Sequence, residues 1–433
     1  MRDRSSRRAW LNVVWLRIES QAVVASSDLF DMSAVPVFTL DRWVCVGRSM
    51  AIDARRAGAE AAAEAQRDRP AMLLMVFSSI HYDCADVLAG VCSVTSDDVL
   101  VVGGTSMGEI ASDGLGLEPI GVGSAVVVVA LGGRGFTVST SVVRDASADR
   151  RGSGAAAASA MEQIDAPHKA LLMIVDGLTR EQHELVRGAY SMLGASVPMV
   201  GGCSADNVEY LLTNQFHGTG AGVERLVDSI VAVGLGSSAP IGIGIAHGWA
   251  KQGDPMIVTS SDGGEVFLID DEPALDVYLR RIGADRSLID DGEAFRTAVF
   301  DHPLGMSRRS GEDIRVVHSA DRERGSLLCL ADVPQGALVW TMTTDSDALV
   351  AAAGRSCEMA VDALGGQPPL GVVVFDCGAR KLKLGDELSA EQAAIATAAA
   401  GAPFGGFYTF GEIARTRGSR GMHHLTVVSL ALA

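Results

Sequence analysis

Short apolar runs recur along this chain in a fixed order of strand, helix, glycine pair and strand. Three copies of this order run over residues 72–110, 171–207 and 371–413. Their glycine pairs are Gly103-Gly104, Gly201-Gly202 and Gly405-Gly406. A unit of this kind cannot bury its apolar strands alone, so we predict three strand–helix–glycine turn–strand units that pack into shared sheets. We also expect Gly104, Gly202 and Gly406 to lie close together.

The helix of the second copy carries the clearest local signals. Thr179 is followed three positions later by Gln182, the spacing of a capping box at a helix N-terminus. Gly194 then marks the C-terminus, because glycine adopts the left-handed conformation that ends many helices. The sequence therefore predicts a helix over residues 179–193.

The segments between the copies resemble antiparallel strands. Residues 122–131 and 135–143 are apolar runs of strand length, and apolar and polar positions alternate in the second. The predicted fold class is α/β, with mixed and largely antiparallel sheets flanked by helices.

Besides the glycine pairs, several further stretches occur along the chain in an order typical of one family. They are residues 215–218, 247–249, 270–278, 375–380 and 407–413. In this order the chain resembles the FIST domain. The resemblance implies an N-terminal FIST domain over residues 45–236 and a C-terminal FIST domain over residues 237–433. It also implies a sensory module for a small molecule, usually an amino acid or a related metabolite.

Residues 1–44 precede this match and show no sustained period, so we interpret them as a loosely packed extension. Deleting the first 40 or so residues is expected to leave the stability nearly unchanged.

The composition argues against nucleic-acid and membrane partners. The formal net charge is −17, whereas affinity for a phosphate backbone comes from clustered lysine and arginine. The most apolar windows are about eight residues long, far short of the roughly 20 that a membrane helix needs. The seven cysteines include no CxxC pair, which favours free thiols in a reducing cytoplasm.

Catalytic motifs are scarce in this sequence. Residues 104–108 form a GxSxG pattern around Ser106, but a nucleophile elbow needs a helix behind its serine. The glycines at positions 114 and 116 would break such a helix soon afterwards. The sequence therefore leaves enzymatic activity uncertain and favours a binding function.

A ligand site is expected near the glycine turns. Glu109, Asp206 and Glu412 follow the three pairs at roughly matching places, either to bind an amino group or to cap their own turns. In the third copy, Arg380 is a candidate partner for a ligand carboxylate, because guanidinium binds carboxylates in a bidentate manner. Tyr408 would supply a ring face. Neighbouring candidates are Ser106, Cys203 and Asn207.

Two alternatives remain open at this point. Some FIST proteins are reported as haem-binding nitric oxide sensors, and His247, His81 and His217 are the candidate axial ligands. A cysteine-dependent enzyme would use Cys203 or Cys377 as its nucleophile, although a buried inert thiol is the competing interpretation.

The cysteine pattern thus favours a cytoplasmic protein, and the resemblance implies that it senses a small ligand. Its signal would pass in trans to a partner such as a histidine kinase or a cyclase, since the family match runs nearly to the last residue.

Overall fold

The computed structural model of the protein describes residues 41–112, 125–308, 311–416 and 421–433. The first repeat alternates strands and helices. Its elements are β1 (Trp43–Ser49), α1 (Ala54–Gln66), β2 (Leu73–Ser79), α2 (Cys84–Cys92), β3 (Leu100–Ser106), β4 (Glu109–Ser112) and β5 (Val126–Gly132).

The second repeat has the same order of elements, with one difference. Its elements are β6 (Phe136–Val143), α3 (Arg150–Ala157), β7 (His168–Val175), α4 (Gln182–Leu193), β8 (Met199–Cys203), β9 (Gln215–Thr219), β10 (Gly222–Leu226) and β11 (Ile230–Ser237). Two strands, β9 and β10, stand where the described part of the first repeat has β4.

The third repeat is interrupted after its first strand, β12 (Ile241–Ala246). Residues 250–343, which we call the inserted subdomain, have a hydrophobic core of their own. Its elements are β13 (Ala250–Asp262), β14 (Glu265–Ile269), β15 (Glu272–Pro273), α5 (Ala274–Ile282), α6 (Gly292–Asp301), β16 (Leu304–Arg308), β17 (Gly311–Arg315), β18 (Val317–Asp321), β19 (Ser326–Cys329) and β20 (Leu338–Thr343).

After the inserted subdomain, the third repeat continues in the order of the other two. Its remaining elements are α7 (Ser346–Asp362), β21 (Gly371–Cys377), α8 (Gly378–Leu384), α9 (Leu388–Ala398), β22 (Phe404–Thr409), β23 (Glu412–Arg415), β24 (Gly421–His423) and β25 (Val427–Leu432).

The three repeats form three sheets that exchange strands. The sheet orders are β1-β5-β2-β3-β9-β10, then β6-β11-β7-β8-β23-β24, then β12-β25-β21-β22-β4. Each sheet has one parallel pair, β2/β3, β7/β8 or β21/β22, and its other pairings are antiparallel. On one side of each parallel pair, the neighbouring strand comes from another repeat: β9 beside β3, β23 beside β8 and β4 beside β22. Repeat one donates to repeat three, three donates to two, and two donates to one, so the exchange closes on itself.

Main-chain hydrogen bonds fix each of these junctions in the same way. At the first, Thr105 N donates to Asn214 O at 2.9 Å, and Thr105 O accepts from Ala205 N at 2.9 Å. The corresponding bonds elsewhere are Cys203 N to Gly411 O, Phe410 N to Cys203 O, Tyr408 N to Gly108 O and Met107 N to Tyr408 O. The equivalent positions of the three repeats are therefore Thr105, Cys203 and Tyr408.

One glycine of each pair is required by close packing inside a parallel pair. A Cβ atom on Gly103 or Gly406 would lie 1.8 Å from the carbonyl oxygen of Val76 or Val374, respectively. Gly201 has the same environment, with Met173 O at 1.9 Å from a Cβ atom. No side chain fits at these distances, so the glycines allow the two backbones to approach.

The inner faces of the three sheets share a single core. The ring centroids of Phe77 and Phe407 are 4.5 Å apart, and Phe375 packs edge-on against Phe407 at 5.8 Å. These residues come from β2, β22 and β21, while Ile174 and Val200 of the second sheet belong to the same cluster. The helices cover the outer faces of the sheets.

The predicted fold class is confirmed, since mixed and mostly antiparallel sheets alternate with helices. The glycine pairs, however, lie within strands rather than in turns, because their role is to admit a neighbouring backbone. A Cβ atom on Gly104 would lie 2.4 Å from Ser204 Oγ, and one on Gly202 would lie 2.6 Å from Thr409 Cγ2, so these two glycines each contact the next repeat.

Two local predictions need correction or restriction. The predicted Thr179 cap is wrong, because α4 begins at Gln182 after Glu181, and no side chain caps it. Gly194 does end this helix. Of the predicted extension over residues 1–44, residues 1–40 lie outside the described residues. Trp43 and Val44 belong to β1 and are therefore not part of an extension. No helix among the described segments is long and apolar enough to cross a membrane.

Replacing Gly406 tests the close packing. We expect Gly406→Ala to lower the free energy of unfolding by about 1–3 kcal/mol or more, because the new methyl group forces β21 and β22 apart. Urea unfolding would measure this change. Gly292→Ala is the matched control, since a Cβ atom there has no neighbour within 4 Å. Equal stability of the two variants would show that close packing of β21 and β22 does not require glycine at position 406.

Candidate functional site

A cavity of about 710 Å³ lies where the second and third repeats meet the inserted subdomain. Its lining includes residues from the loops that follow β7, β8, β21 and β22, the strands of two parallel pairs. In α/β sheets, ligands bind beside the carboxyl ends of parallel strands. The inserted subdomain closes the opposite side of the cavity with residues from 300 to 331.

The cavity walls are mainly apolar. Tyr210 and Phe410, which follow β8 and β22, stack with ring centroids 4.9 Å apart. The subdomain contributes Phe300, Val316 and Leu328–Ala331, and α8 contributes Leu382. A mostly apolar cavity with a few polar groups is typical of a small-molecule site.

Histidine and arginine side chains are the main polar groups of this cavity. They are Arg180, His183, His318 and His424. Burial lowers the pKa of His318 below its usual value, and the nearby Arg180 lowers it further. Burial lowers the pKa of His424 to about 3, so this imidazole is neutral at physiological pH. Within the described ranges, no group of His, Cys, Asp or Glu side chains could hold a metal ion.

Asp206 shapes the loop that carries Tyr210. Its buried carboxylate accepts hydrogen bonds from the backbone N–H groups of residues 209–212, at 2.8 to 3.3 Å. Val208 and Tyr210 adopt positive φ angles of 60° and 55° in this loop. Asp206 therefore caps its own turn, one of the two roles expected from the sequence.

Arg380 has a structural environment rather than a ligand-facing one. Its side chain is 0% exposed and forms ion pairs with Asp376 at 2.6 Å and Glu391 at 2.7 Å. Tyr408 joins the same cluster by donating its hydroxyl to Glu391 at 2.7 Å. Because a buried guanidinium must be paired, Arg380 holds α8, α9 and β21 together. The structure does bring Arg380 and Tyr408 together, but neither lines the cavity.

Glu109 and Glu412 occupy equivalent positions at two strand junctions. Glu109 pairs with Phe407 across the first, and Glu412 pairs with Gly202 across the second. Ser106 donates a hydrogen bond to Glu109, as Thr409 does to Glu412 at 2.7 Å. Burial raises the pKa of Glu109 to about 8 and that of Glu412 to about 7.

The third junction position is Gln215, which pairs with Gly104. It is Gln215, and not Asp206, that corresponds to the two glutamates. The amide at this position carries no charge, and burial shifts the carboxyl groups of Glu109 and Glu412 towards their uncharged form as well.

The candidate nucleophilic cysteines are both buried. Burial raises the pKa of Cys203 and Cys377 well above the usual value, and the charge of Glu412 raises both further. Cys377 lines the cavity, whereas Cys203 does not. Protonated thiols are poor nucleophiles, so this geometry does not favour a cysteine-dependent enzyme.

The candidate haem ligands lie away from the cavity. His247 Nδ1 accepts a hydrogen bond from Trp249 N at 2.9 Å, and His217 Nε2 lies 3.0 Å from Thr140 Oγ1. His81 is exposed. None of the three lines the cavity, and the histidines that do were not selected from the sequence.

The residues that line the cavity are mostly neighbours of those predicted from the sequence. Met107, Val208 and Thr409 line it, while Ser106, Glu109 and the exposed Asn207 do not. A signal for part of the lining was present, because the segments that follow the predicted strands of copies two and three contribute to it. The end of the predicted strand at Val175, rather than the glycine pair, points to residues 177–183 as part of the lining.

Comparison with known proteins identifies the family of this chain. A family model described as the FIST N domain matches residues 72–272, and one described as the FIST C domain matches residues 274–415. The chain belongs to the FIST family. FIST domains are small-ligand sensory domains in signal transduction. In this FIST protein, the cavity is lined by residues from both matched segments.

Similar proteins occur in Mycobacterium tuberculosis. Uncharacterised proteins of strains CDC 1551 / Oshkosh and ATCC 25618 / H37Rv are each 26% identical to this chain over 399 residues. The matches cover 89% of this FIST protein and 98% of each relative.

The raised pKa of Glu109 predicts a pH dependence of stability. The folded state holds a proton that the unfolded state releases near the ordinary value of 4.5. Stability therefore falls as the pH rises from about 5 to about 8. We expect Glu109→Gln to lose less stability across this window, as measured by urea midpoints at pH 5, 6.5 and 8. The exposed Glu209→Gln is the control, and equal slopes for Glu109→Gln and wild type would refute the assignment.

Proposed function

We propose that this FIST protein senses an amino acid or a related metabolite that binds in the 710 Å³ cavity. The observation that supports the proposal most directly is the position of the cavity, at the carboxyl ends of two parallel strand pairs. Its volume lies within the roughly 300 to 1,000 Å³ that is usual for small-molecule sites.

The arrangement of the walls suggests how binding is signalled. A ligand in the cavity contacts residues from two repeats and from the inserted subdomain at once, so it favours one arrangement of the three. Val208 and Tyr210 of the loop line the cavity, and Leu211 of the same loop is 76% exposed. Binding would thus alter an apolar outer surface, which a partner in trans such as a histidine kinase or a cyclase would recognise.

We also propose a cytoplasmic location. All seven cysteines are free, and most of them are buried. Free thiols are typical of a reducing compartment.

A thermal-shift screen with the common amino acids and their 2-oxo acids tests the proposal. We expect at least one of them to raise the melting temperature, since a ligand at 100 times its Kd stabilises the folded state by about 2.7 kcal/mol. Ala379→Phe should abolish this effect, because residue 379 lines the cavity and the larger ring fills it.

Ala85→Phe is the matched control, since residue 85 is exposed on α2. Equal stabilisation of Ala379→Phe and wild type would place binding elsewhere. A Soret band in the purified protein, with no response to any amino acid, would instead support the haem sensor.

A further inference from the structure

We propose, on the basis of the proposed sensing function, that the ligand is an anion whose charged oxygens bind at the N-terminus of α4, with Arg180 and His424 as side-chain partners. The ligand class is a carboxylate or a phosphate ester with an apolar body. Three separate observations lead to this assignment.

The first observation is the state of the α4 N-terminus. This helix has 12 residues, and no side chain caps it, whereas Asp83 caps its counterpart α2. The carboxylate of Glu181, immediately before the helix, forms an ion pair with Arg150 at 3.4 Å. The first backbone N–H groups of a helix carry partial positive charge and need acceptors, which an anion supplies.

The second observation is an unpaired cation. Arg180 is exposed and lines the cavity, and its guanidinium has no hydrogen-bond or ion-pair partner among the described residues. By contrast, the nearby Arg187 forms ion pairs with Glu184 and Asp332. An arginine without a partner among the described residues can bind an anion with two parallel hydrogen bonds.

The third observation is an unsatisfied buried side chain directly after β24, a strand that packs against α4. His424 lines the cavity, is 7% exposed, and has no hydrogen-bond partner for its Nδ1 atom. A buried polar atom without a partner is destabilising, so native proteins rarely leave one. In its Nδ1–H tautomer, a neutral His424 donates one hydrogen bond to a ligand oxygen.

The remaining charges around the cavity are compatible with an anion. Glu181 is the one acidic residue among the described cavity-lining residues. Its carboxylate is engaged by Arg150, as noted above. Glu184 and Asp332, which do not line the cavity, are both paired with Arg187.

The rest of the cavity determines the other part of the ligand. The Tyr210–Phe410 stack and the aliphatic side chains of the subdomain present apolar surface beside the α4 N-terminus. A small inorganic anion would leave this surface uncovered. An anionic group attached to an apolar body covers both regions.

Calorimetric titration with four related probes tests the inference. They are L-phenylalanine, phenylpyruvate, phenyl phosphate and L-phenylalaninamide, which lacks the carboxylate. We expect at least one anionic probe to bind at least tenfold more tightly than the amide. Preference for the carboxylates or for phenyl phosphate distinguishes the two sources of the anion.

Variants of Arg180 complete the test. Arg180→Gln should weaken binding of the best anionic probe at least tenfold, and Arg180→Lys should weaken it less. Arg55→Gln, which removes the same charge from an exposed position on α1, should leave binding unchanged. Circular dichroism and the melting temperature would confirm that each variant is folded.

The outcomes separate this inference from the proposed function. If the amide binds as tightly as the anionic probes, or if Arg180→Gln binds them normally, the anion site is wrong while the cavity remains a ligand site. A second outcome also refutes the anion site alone. None of the four probes binds, but a neutral compound stabilises wild type and does not stabilise Ala379→Phe. If no compound of either screen binds in the cavity, both proposals fail.

Discussion

The structure depends on a closed ring of main-chain hydrogen bonds that links its three sheets. Thr105, Cys203 and Tyr408 each pair with the chain of a different repeat, through one N–H donor and one carbonyl acceptor. Each of the three sheets includes a strand that belongs to another repeat. No repeat can therefore satisfy its own edge, and an unpaired buried edge is costly.

This exchange makes the two FIST segments one structural unit around the cavity. β23, from the C-terminal segment, pairs with β8, while β4, from the N-terminal segment, pairs with β22. The predicted division after residue 236 falls inside β11, one residue before its end, and strands from each side pair with strands on the other. The cavity lies beside these junctions, since Met107 and Phe410 take part in the ring and also line the cavity. A ligand there is well placed to influence how the repeats pack.

The sequence was most informative where local chemistry determines structure. Apolar runs and glycine pairs predicted the strands of all three copies, and Gly194 predicted the end of α4 correctly. The role of the glycines was less accessible, because the Val374 carbonyl that excludes a side chain at Gly406 belongs to a neighbouring strand. In the third copy it is the second glycine of the pair that corresponds to Gly103.

The site was harder to predict because its contacts are not local. Arg380 has the chemistry of a carboxylate receptor, but Glu391 from α9 pairs with it inside the protein. Asp206 follows its glycine pair as Glu109 and Glu412 do, yet an inserted loop moves the equivalent position to Gln215. His424 gave no signal in the sequence, since its importance comes from an unpaired nitrogen in a cavity that three distant segments form.

Native-state hydrogen exchange at the three junctions tests the central claim, that strand exchange makes one cooperative unit. The amides to follow are those of Thr105, Cys203 and Tyr408, which are the main-chain donors of the ring. The account predicts that all three exchange only through global unfolding, with the same free energy of opening and the same dependence on urea. A much lower free energy of opening at Tyr408 than at Thr105 would show that the segments open separately, and would contradict it.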